Sequence, residues 1–218
     1  MKPETLHSPR GLILASTSPR RKELLGLLQV PFSVIEPDGE EEGKDFLSTQ
    51  QMVQELALQK AQSVAPRFPE ALVLGGDTLI EIGSARLGKP RDLNEAANML
   101  RQLSGRMHQV HSGIALVCQA RKMKLTAVET VRVYMKELSE SEIQAYLATG
   151  ESLGKAGAYC IQERGADLIA EISGDYPTVV GLPLKKVAIL LEKQGVDLPI
   201  KMEEIYRKKP YPKWKEFS

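Results

Sequence analysis

A continuous apolar run at residues 71–74, followed by Gly75, Gly76 and Asp77, constrains the fold of this chain more than any other feature. A strand without polar alternation is typical of the centre of a sheet that is covered on both faces. The chain is therefore predicted to be an α/β protein. Because ligands of open α/β sheets bind beyond the carboxyl ends of strands, Asp77 is a candidate for binding a metal ion or accepting a proton from water. The alternative is a turn aspartate.

The segment at residues 16–21 joins the first apolar run to the first predicted helix and concentrates hydroxyls and guanidinium groups. Ser18 is a favoured N-cap and Pro19 suits the first helical position, so a helix is predicted to begin near residue 19. Free backbone N–H groups and the positive end of the helix dipole then lie beside the hydroxyls. Arg21, at the edge of the core-facing stripe, can bind phosphate oxygens through two parallel hydrogen bonds. The segment predicts an anion-binding site, with a capped surface helix as the alternative.

Two lysines occupy positions that suit an anion. Residues 48–65 form the clearest predicted helix, and Lys60 lies within its apolar stripe. Its side chain is expected to point into the protein, either toward a buried anion or with its stem along the apolar face and its ammonium group in water. Lys89 lies in a predicted turn near the end of the strand pair that carries Asp77.

An acidic loop follows the second predicted strand, with carboxylates at positions 36, 38 and 40–42. Carboxylates clustered after a strand suit Mg²⁺ or Mn²⁺, which take oxygen ligands and keep waters for a phosphate substrate. A solvated acidic loop is the alternative. His108 and His111 are predicted to lie on opposite faces of one strand, so they make a poor metal pair.

Composition excludes several classes of protein. The 218 residues include 29 Lys and Arg against 28 Asp and Glu, a balance that argues against stable binding of nucleic acid through a basic face. Two cysteines are too few for a disulfide framework, and no secretory signal is evident, so a cytoplasmic protein is predicted. The apolar runs are shorter than the roughly 20 residues that cross a bilayer, so no membrane segment is expected.

The chain is expected to divide into a short N-terminal extension at residues 1–11, one domain at residues 12–198 and a tail at residues 199–218. The tail interleaves basic and aromatic residues, which would suit single-stranded nucleic acid. Its prolines and its lack of apolar periodicity instead favour a poorly ordered segment.

Six motifs follow one another along the chain: Ala-Ser-Thr-Ser-Pro-Arg-Arg (15–21), Gly-Gly-Asp-Thr (75–78), Gly-Lys-Pro-Arg-Asp (88–92), Leu-Ser-Gly (103–105) with His108 and Ser112 behind it, Lys-Ala-Gly-Ala-Tyr-Cys-Ile-Gln (155–162) and Val-Val-Gly-Leu-Pro (179–183). Each motif is weak alone. In this order and spacing they resemble the Maf family of nucleoside triphosphate pyrophosphatases over about residues 12–195.

The resemblance implies a two-lobed α/β fold of the Maf type, related to the inosine triphosphatase and anticodon-binding folds. A twisted mixed sheet would be flanked by helices and would carry a central cleft. The implied reaction is metal-dependent hydrolysis of a nucleoside triphosphate to the monophosphate and pyrophosphate, with a house-cleaning role in the nucleotide pool. A homodimer is also implied.

The resemblance assigns roles to individual residues. Asp77 resembles the catalytic proton acceptor and, with Glu41, the ligand of Mg²⁺ or Mn²⁺; Glu40 and Glu42 are the alternatives in the acidic loop. The polar and cationic lining for the phosphates is implied at Ser16, Arg20, Arg21, Lys60 and Lys89. The branch that prefers dTTP and UTP, with CTP and modified pyrimidines as further substrates, is implied by Arg21, Thr78 and Gln162. The alternatives are the same reaction on 7-methyl-GTP, or a non-catalytic nucleotide- or nucleic-acid-binding regulator of cell division.

Overall fold

The fold centres on a mixed sheet of seven strands, which a computed structural model describes with its helices over residues 11–39 and 46–217. The strands are β1 (Leu12–Ala15), β2 (Phe32–Ile35), β3 (Leu72–Ile82), β4 (Ala85–Leu87), β5 (Met107–Cys118), β6 (Met123–Met135) and β7 (Ile169–Ser173). Their order across the sheet is β2-β1-β3-β5-β6-β7, and β4 pairs with β3. β1 is parallel to β2 and β3, whereas the other pairs are antiparallel. The predicted α/β class with a mixed sheet is confirmed.

Helices cover both faces of the sheet. They are α1 (Pro19–Gly26), α2 (Thr49–Val64), α3 (Leu93–Leu103), α4 (Glu140–Leu147), α5 (Tyr176–Val180), α6 (Leu184–Glu192), α7 (Met202–Lys208) and α8 (Pro212–Glu216). On one face, Ala57 and Ala61 of α2 pack against Val73 of β3. On the other face, a larger core takes buried side chains from α1 and from α3 to α8.

The starts of α1 and α2 follow from their capping residues. The side chain of Ser18 accepts a hydrogen bond from the backbone of Arg21, and Pro19 occupies the first turn of α1. Ser48 and Gln51 form a reciprocal capping box at the start of α2. Both predicted helix starts are confirmed.

β3 extends further than its sequence predicts. The sequence predicts that the apolar strand has its carboxyl end at the two glycines and the acid, residues 75–77, whereas β3 continues to Ile82. The parallel pairing with β1 ends at Gly75, but the antiparallel partner β5 goes on pairing with β3 as far as Glu81. Asp77 therefore lies within β3, just beyond the carboxyl end of its neighbour β1, and a turn aspartate is the wrong interpretation.

The expected poorly ordered tail is also corrected. Residues 201–217 include α7 and α8, and Ile205 and Trp214 are buried in the larger core. The aromatic side chains of the segment supply the apolar surface that its periodicity does not reveal. Of the predicted N-terminal extension, only Gly11 falls within the described residues. No helix in the described ranges is both long enough and apolar enough to cross a bilayer.

Candidate active site

The segment between β1 and α1 forms one wall of a cleft. The Ser18 N–H donates to Ser16 Oγ at 3.2 Å, and the Arg21 N–H donates to Ser18 Oγ at 3.5 Å. Residues 16–21 all line the cleft, and Ser16 is buried in its wall. The first turn of α1, with its positive dipole end, therefore lies at the cleft as predicted, although Pro19 has no N–H and Ser18 accepts from the Arg21 N–H.

Two adjacent glycines let different elements approach the two faces of β3. A Cβ at Gly75 would lie 2.1 Å from the carbonyl oxygen of Ala57, so the close packing of α2 requires glycine there. A Cβ at Gly76, on the opposite face, would lie 3.2 Å from Nε of Arg21. Glycine at these positions thus allows α2 on one face and Arg21 on the other to lie directly against the strand.

On the α2 face, Lys60 and Asp77 form a buried ion pair. Lys60 Nζ donates to Asp77 Oδ1 at 2.6 Å, and the two residues are 6% and 8% exposed. The prediction that Lys60 points inward is confirmed, and a stem extended to solvent is the wrong interpretation. Since an unpaired buried charge is costly, each group offsets the burial of the other at the cleft wall.

On the opposite face, Arg21 begins a directional chain of hydrogen bonds. Its Nε donates to the Gly181 carbonyl at 2.9 Å, and its Nη2 donates to Thr78 Oγ1 at 3.1 Å. Ser112 Oγ lies 2.9 Å from Thr78 Oγ1 and donates to the Thr178 carbonyl at 2.8 Å. A hydroxyl carries one proton and a carbonyl can only accept, so Thr78 must donate to Ser112. The chain fixes the orientation of Arg21 and Thr78 at the cleft.

The cleft has a volume of about 280 Å³ and is strongly cationic. Its five cationic lining residues are Arg20, Arg21, Lys60, Lys89 and Lys155. Among the lining residues that the structure describes, Asp77 is the single carboxylate. An excess of positive charge in a concave site concentrates a polyanion there.

Most of the predicted site residues converge on this cleft. Those that line it are Ser16, Arg20, Arg21, Lys60, Asp77, Thr78 and Lys89. Lys155 was not predicted as a site residue, and its only signal is that it is a polar member of a run of small residues. The contact of Lys60 with Asp77 was also missed, because it depends on how α2 packs on β3.

Two predicted site residues are not placed in the lining. Gln162 is half-buried and directly follows Ile161, which does line the cleft. Glu41, with its alternatives Glu40 and Glu42, lies outside the described residues.

The donor chemistry of Asp77 fits a divalent cation that arrives with phosphates. Over residues 11–39 and 46–217, no three His, Cys, Asp or Glu side chains group as a metal centre made by protein alone would need. Mg²⁺, however, is often bound by one or two carboxylates together with substrate phosphates and waters. A single carboxylate in a cationic cleft is compatible with that arrangement.

The histidines of β5 lie apart, as predicted. His108 Nε2 is 2.8 Å from the hydroxyl of Tyr159, a residue that lines the cleft, and burial lowers the pKa of His108 to about 4. His111 Nδ1 is 2.9 Å from Thr130 Oγ1 on β6, and burial lowers the pKa of His111 although Glu81 opposes that effect. Burial also raises the pKa of Tyr159. His108 is therefore neutral at pH 7 and supports a neutral phenol at the cleft wall.

A cationic cleft at the carboxyl end of a parallel strand, with a buried carboxylate in its wall, defines a phosphate-binding α/β protein. The chain belongs to the Maf family, because the family described as Maf-like protein matches residues 11–194.

Relatives with high similarity cover most of this chain. The dTTP/UTP pyrophosphatase of Bacillus velezensis is 49% identical over 187 residues, which are 86% of this chain and 98% of that protein. The protein of the same name from Pelotomaculum thermopropionicum is 44% identical over 189 residues, 87% of this chain and 99% of that protein. The one from Symbiobacterium thermophilum is 49% identical over 184 residues, 84% of this chain and 94% of that protein.

Proposed function

We propose that this protein hydrolyses dTTP and UTP to the nucleoside monophosphate and pyrophosphate. The observation that carries the proposal is the buried Lys60–Asp77 pair in the wall of a cleft lined by five cationic side chains. The names of the relatives with 44–49% identity support the choice of substrate.

Cleavage of the bond between the α- and β-phosphates requires an activated water and stabilisation of charge on the phosphates. Asp77 is the carboxylate that accepts the proton of the water, and Lys60 orients that carboxylate through the 2.6 Å hydrogen bond. Arg20, Arg21 and Lys89 bind the phosphate oxygens and offset their negative charge in the bound substrate and in the transition state alike.

We propose Mg²⁺ or Mn²⁺ as the cofactor, held by Asp77 and the substrate phosphates, with Glu41 as the second carboxylate of the family pattern. The cation would neutralise phosphate charge and orient the triphosphate for attack. Removal of the cation with a chelator should abolish turnover, and either ion should restore it. A cytoplasmic location stays a prediction from the cysteine count and the lack of an evident secretory signal, and a homodimer stays a prediction of the family resemblance.

The base is proposed to approach closely at the small residues 156–158, where Ala156 and the nearby Gly154 line the cleft. Thr78 and Arg21 present fixed polar groups in the same cleft. The amide of Gln162 has the donor and acceptor pattern that matches the O4 and N3–H edge of thymine and uracil, and its role stays a prediction. We expect similar efficiency on dTTP and UTP, weaker turnover of CTP because its amine reverses the pattern, and poor turnover of purines.

The test is a panel of dTTP, UTP, CTP, ATP and 7-methyl-GTP with Mg²⁺ or Mn²⁺. Phosphate is measured with and without added inorganic pyrophosphatase, so that pyrophosphate release is distinguished from loss of the terminal phosphate. We expect a signal only when the coupling enzyme is present, and the highest kcat/KM on dTTP and UTP.

Two results of this panel would contradict the proposal in different ways. A higher kcat/KM on 7-methyl-GTP or ATP would show that the substrate is wrong although the reaction is right. No pyrophosphate from any nucleotide, with nucleotide binding retained, would identify a non-catalytic binder.

A further inference from the structure

The C-terminal segment at residues 201–217, which comprises α7 and α8, lies beyond residues 11–194 that match the family. We propose that this segment, here called the C-terminal brace, positions Arg21 and Thr78 for nucleotide binding by holding α5. The inference rests on the proposed function for its kinetic test, and it has a second test that needs no nucleotide.

The brace contacts the beginning of α5 through two aromatic residues. Tyr206 Oη donates to Asp175 Oδ1 at 2.5 Å, and Trp214 stacks on Tyr176 with ring centroids 5.5 Å apart and an interplanar angle of 11°. Trp214 and Tyr176 are only 3% and 2% exposed. Burial and then the charge of Asp175 raise the pKa of Tyr206, so its phenol keeps the proton that it donates.

Asp175 connects the brace to the backbone of α5. Its Oδ2 accepts from Thr178 N at 3.1 Å and from Thr178 Oγ1 at 2.7 Å, which caps the helix. α5 has five residues, so at about 1.5 Å per residue its two ends are less than 10 Å apart. A shift at its beginning is therefore transmitted to its end.

The end of α5 accepts hydrogen bonds from the network that includes Arg21 and Thr78. The Gly181 carbonyl accepts from Arg21 Nε at 2.9 Å, and the Thr178 carbonyl accepts from Ser112, which accepts in turn from Thr78. Gly181 has a φ of +121°, and a Cβ there would lie 3.3 Å from Thr78 Oγ1. α5 therefore fits closely against both side chains, and its position sets theirs.

The brace should influence nucleotide binding more than the chemical step. The Lys60–Asp77 pair lies on the opposite face of β3, under α2. Loosening α5 would let Arg21 and Thr78 reorient while the proton acceptor stays in place. The expected signature is a higher KM at an almost unchanged kcat.

The test compares Tyr206→Phe with Tyr211→Phe. Tyr211 stacks on the same tryptophan at 6.4 Å, so both variants remove one phenol oxygen from the brace, but only the first removes the bond to Asp175. For UTP with Mg²⁺, Tyr206→Phe should raise KM about three- to tenfold with kcat within about twofold, and Tyr211→Phe should change neither. Thermal unfolding of both variants verifies that each is folded at the temperature used.

Hydrogen exchange of the backbone amides at residues 178–182, measured without nucleotide, tests the brace separately. Tyr206→Phe should speed this exchange about tenfold relative to the wild type and Tyr211→Phe. Equal exchange and equal KM in the two variants would overturn the brace. If the wild type releases no pyrophosphate from UTP, the proposed function is wrong. The hydrogen exchange at residues 178–182 then tests by itself whether the C-terminal brace holds α5.

Discussion

The two faces of β3 contribute different chemistry to one cleft. Under α2, the polar contact that reaches the cleft is an ion pair, with Lys60 Nζ 2.6 Å from Asp77 Oδ1. On the face next to α1 and α5, Arg21 donates to the hydroxyl of Thr78 and to the carbonyl of Gly181. One face of the strand thus has a buried ammonium group paired with a carboxylate. The other face has one guanidinium group that donates to a hydroxyl and a carbonyl, which are both neutral.

This difference indicates that the two faces of β3 have different functions, although the residues concerned are neighbours in the sequence. A carboxylate held by a buried lysine can accept a proton, which hydroxyls and carbonyls do poorly at neutral pH. A chain of hydrogen bonds with one direction fixes the orientation of its members, which suits recognition. The α2 face is therefore assigned to the chemical step and the opposite face to binding.

Asp77→Asn should give the largest effect. The substitution keeps the shape of the side chain but removes its charge, and loss of such a group typically costs about 10²- to 10⁴-fold in rate. We expect kcat for UTP to fall about a thousandfold while circular dichroism shows an unchanged fold. Asp197→Asn, at an exposed position, is the matched control and should retain full activity. An Asp77→Asn protein with most of its pyrophosphatase activity would remove Asp77 from the mechanism.

Alanine substitutions at Gly75 and Gly76 should destabilise the protein to different extents, because the two residues face different elements. Gly75→Ala places a Cβ against the backbone of Ala57, so we expect about 3 kcal/mol of lost stability in urea unfolding. Gly76→Ala meets the flexible side chain of Arg21, so it should cost less than about 1 kcal/mol and mainly raise KM for UTP. Equal stabilities for the two variants would show that α2 can move away from β3 at little cost.

Arg21→Ala should weaken kcat/KM for UTP about a hundredfold, because a charged donor at the cleft and two hydrogen bonds are lost together. Lys60→Ala should also weaken it strongly, since it leaves the buried carboxylate unpaired. Lys208→Ala, an exposed control in α7, should have no effect on steady-state kinetics. Equal and negligible losses at all three positions would contradict the placement of the phosphates in this cleft.

His108, on the recognition face, should give the smallest effect, a dependence of stability on pH. Its pKa is about 4 in the folded chain and 6.5 by default, so the unfolded chain binds the proton first as pH falls. Stability should therefore be complete above about pH 6.5 and decline toward pH 4, by about 2 kcal/mol between pH 7 and pH 5.

His108→Gln removes this titration and keeps a polar partner for Tyr159. Urea unfolding of wild type and variant at both pH values measures the difference. The same loss of stability in His108→Gln as in the wild type would show that this histidine does not control the acid sensitivity.

Local sequence was sufficient where capping and periodicity set the structure. Ser18 with Pro19 predicted the start of α1, and the stripe containing Lys60 predicted an inward lysine; both are confirmed. These features depend on residues within one or two turns of helix, so the sequence reveals them.

The sequence was not sufficient where distant partners decide. β3 continues past Gly76 because β5 keeps pairing with it as far as Glu81, and the identity of that partner is not contained in the sequence of β3. Trp214 is ordered because it stacks on Tyr176, far away in the chain. Such contacts are properties of the assembled fold, so the position of Asp77 inside a strand and the order of the C-terminal brace both required the structure.

The division between the two faces of β3 is tested most directly by separating binding from chemistry in Asp77→Asn and Arg21→Ala. Equilibrium binding is measured with deoxyuridine triphosphate that carries an NH bridge between the α- and β-phosphates, and the chemical step by single-turnover hydrolysis of UTP at saturating enzyme. Without the divalent cation, which Asp77 is proposed to help hold, Asp77→Asn should bind the analogue within about threefold of the wild type. With the cation, its single-turnover rate should fall about a thousandfold, whereas Arg21→Ala should lose mainly affinity. The same ratio of rate loss to affinity loss in both variants would contradict the division.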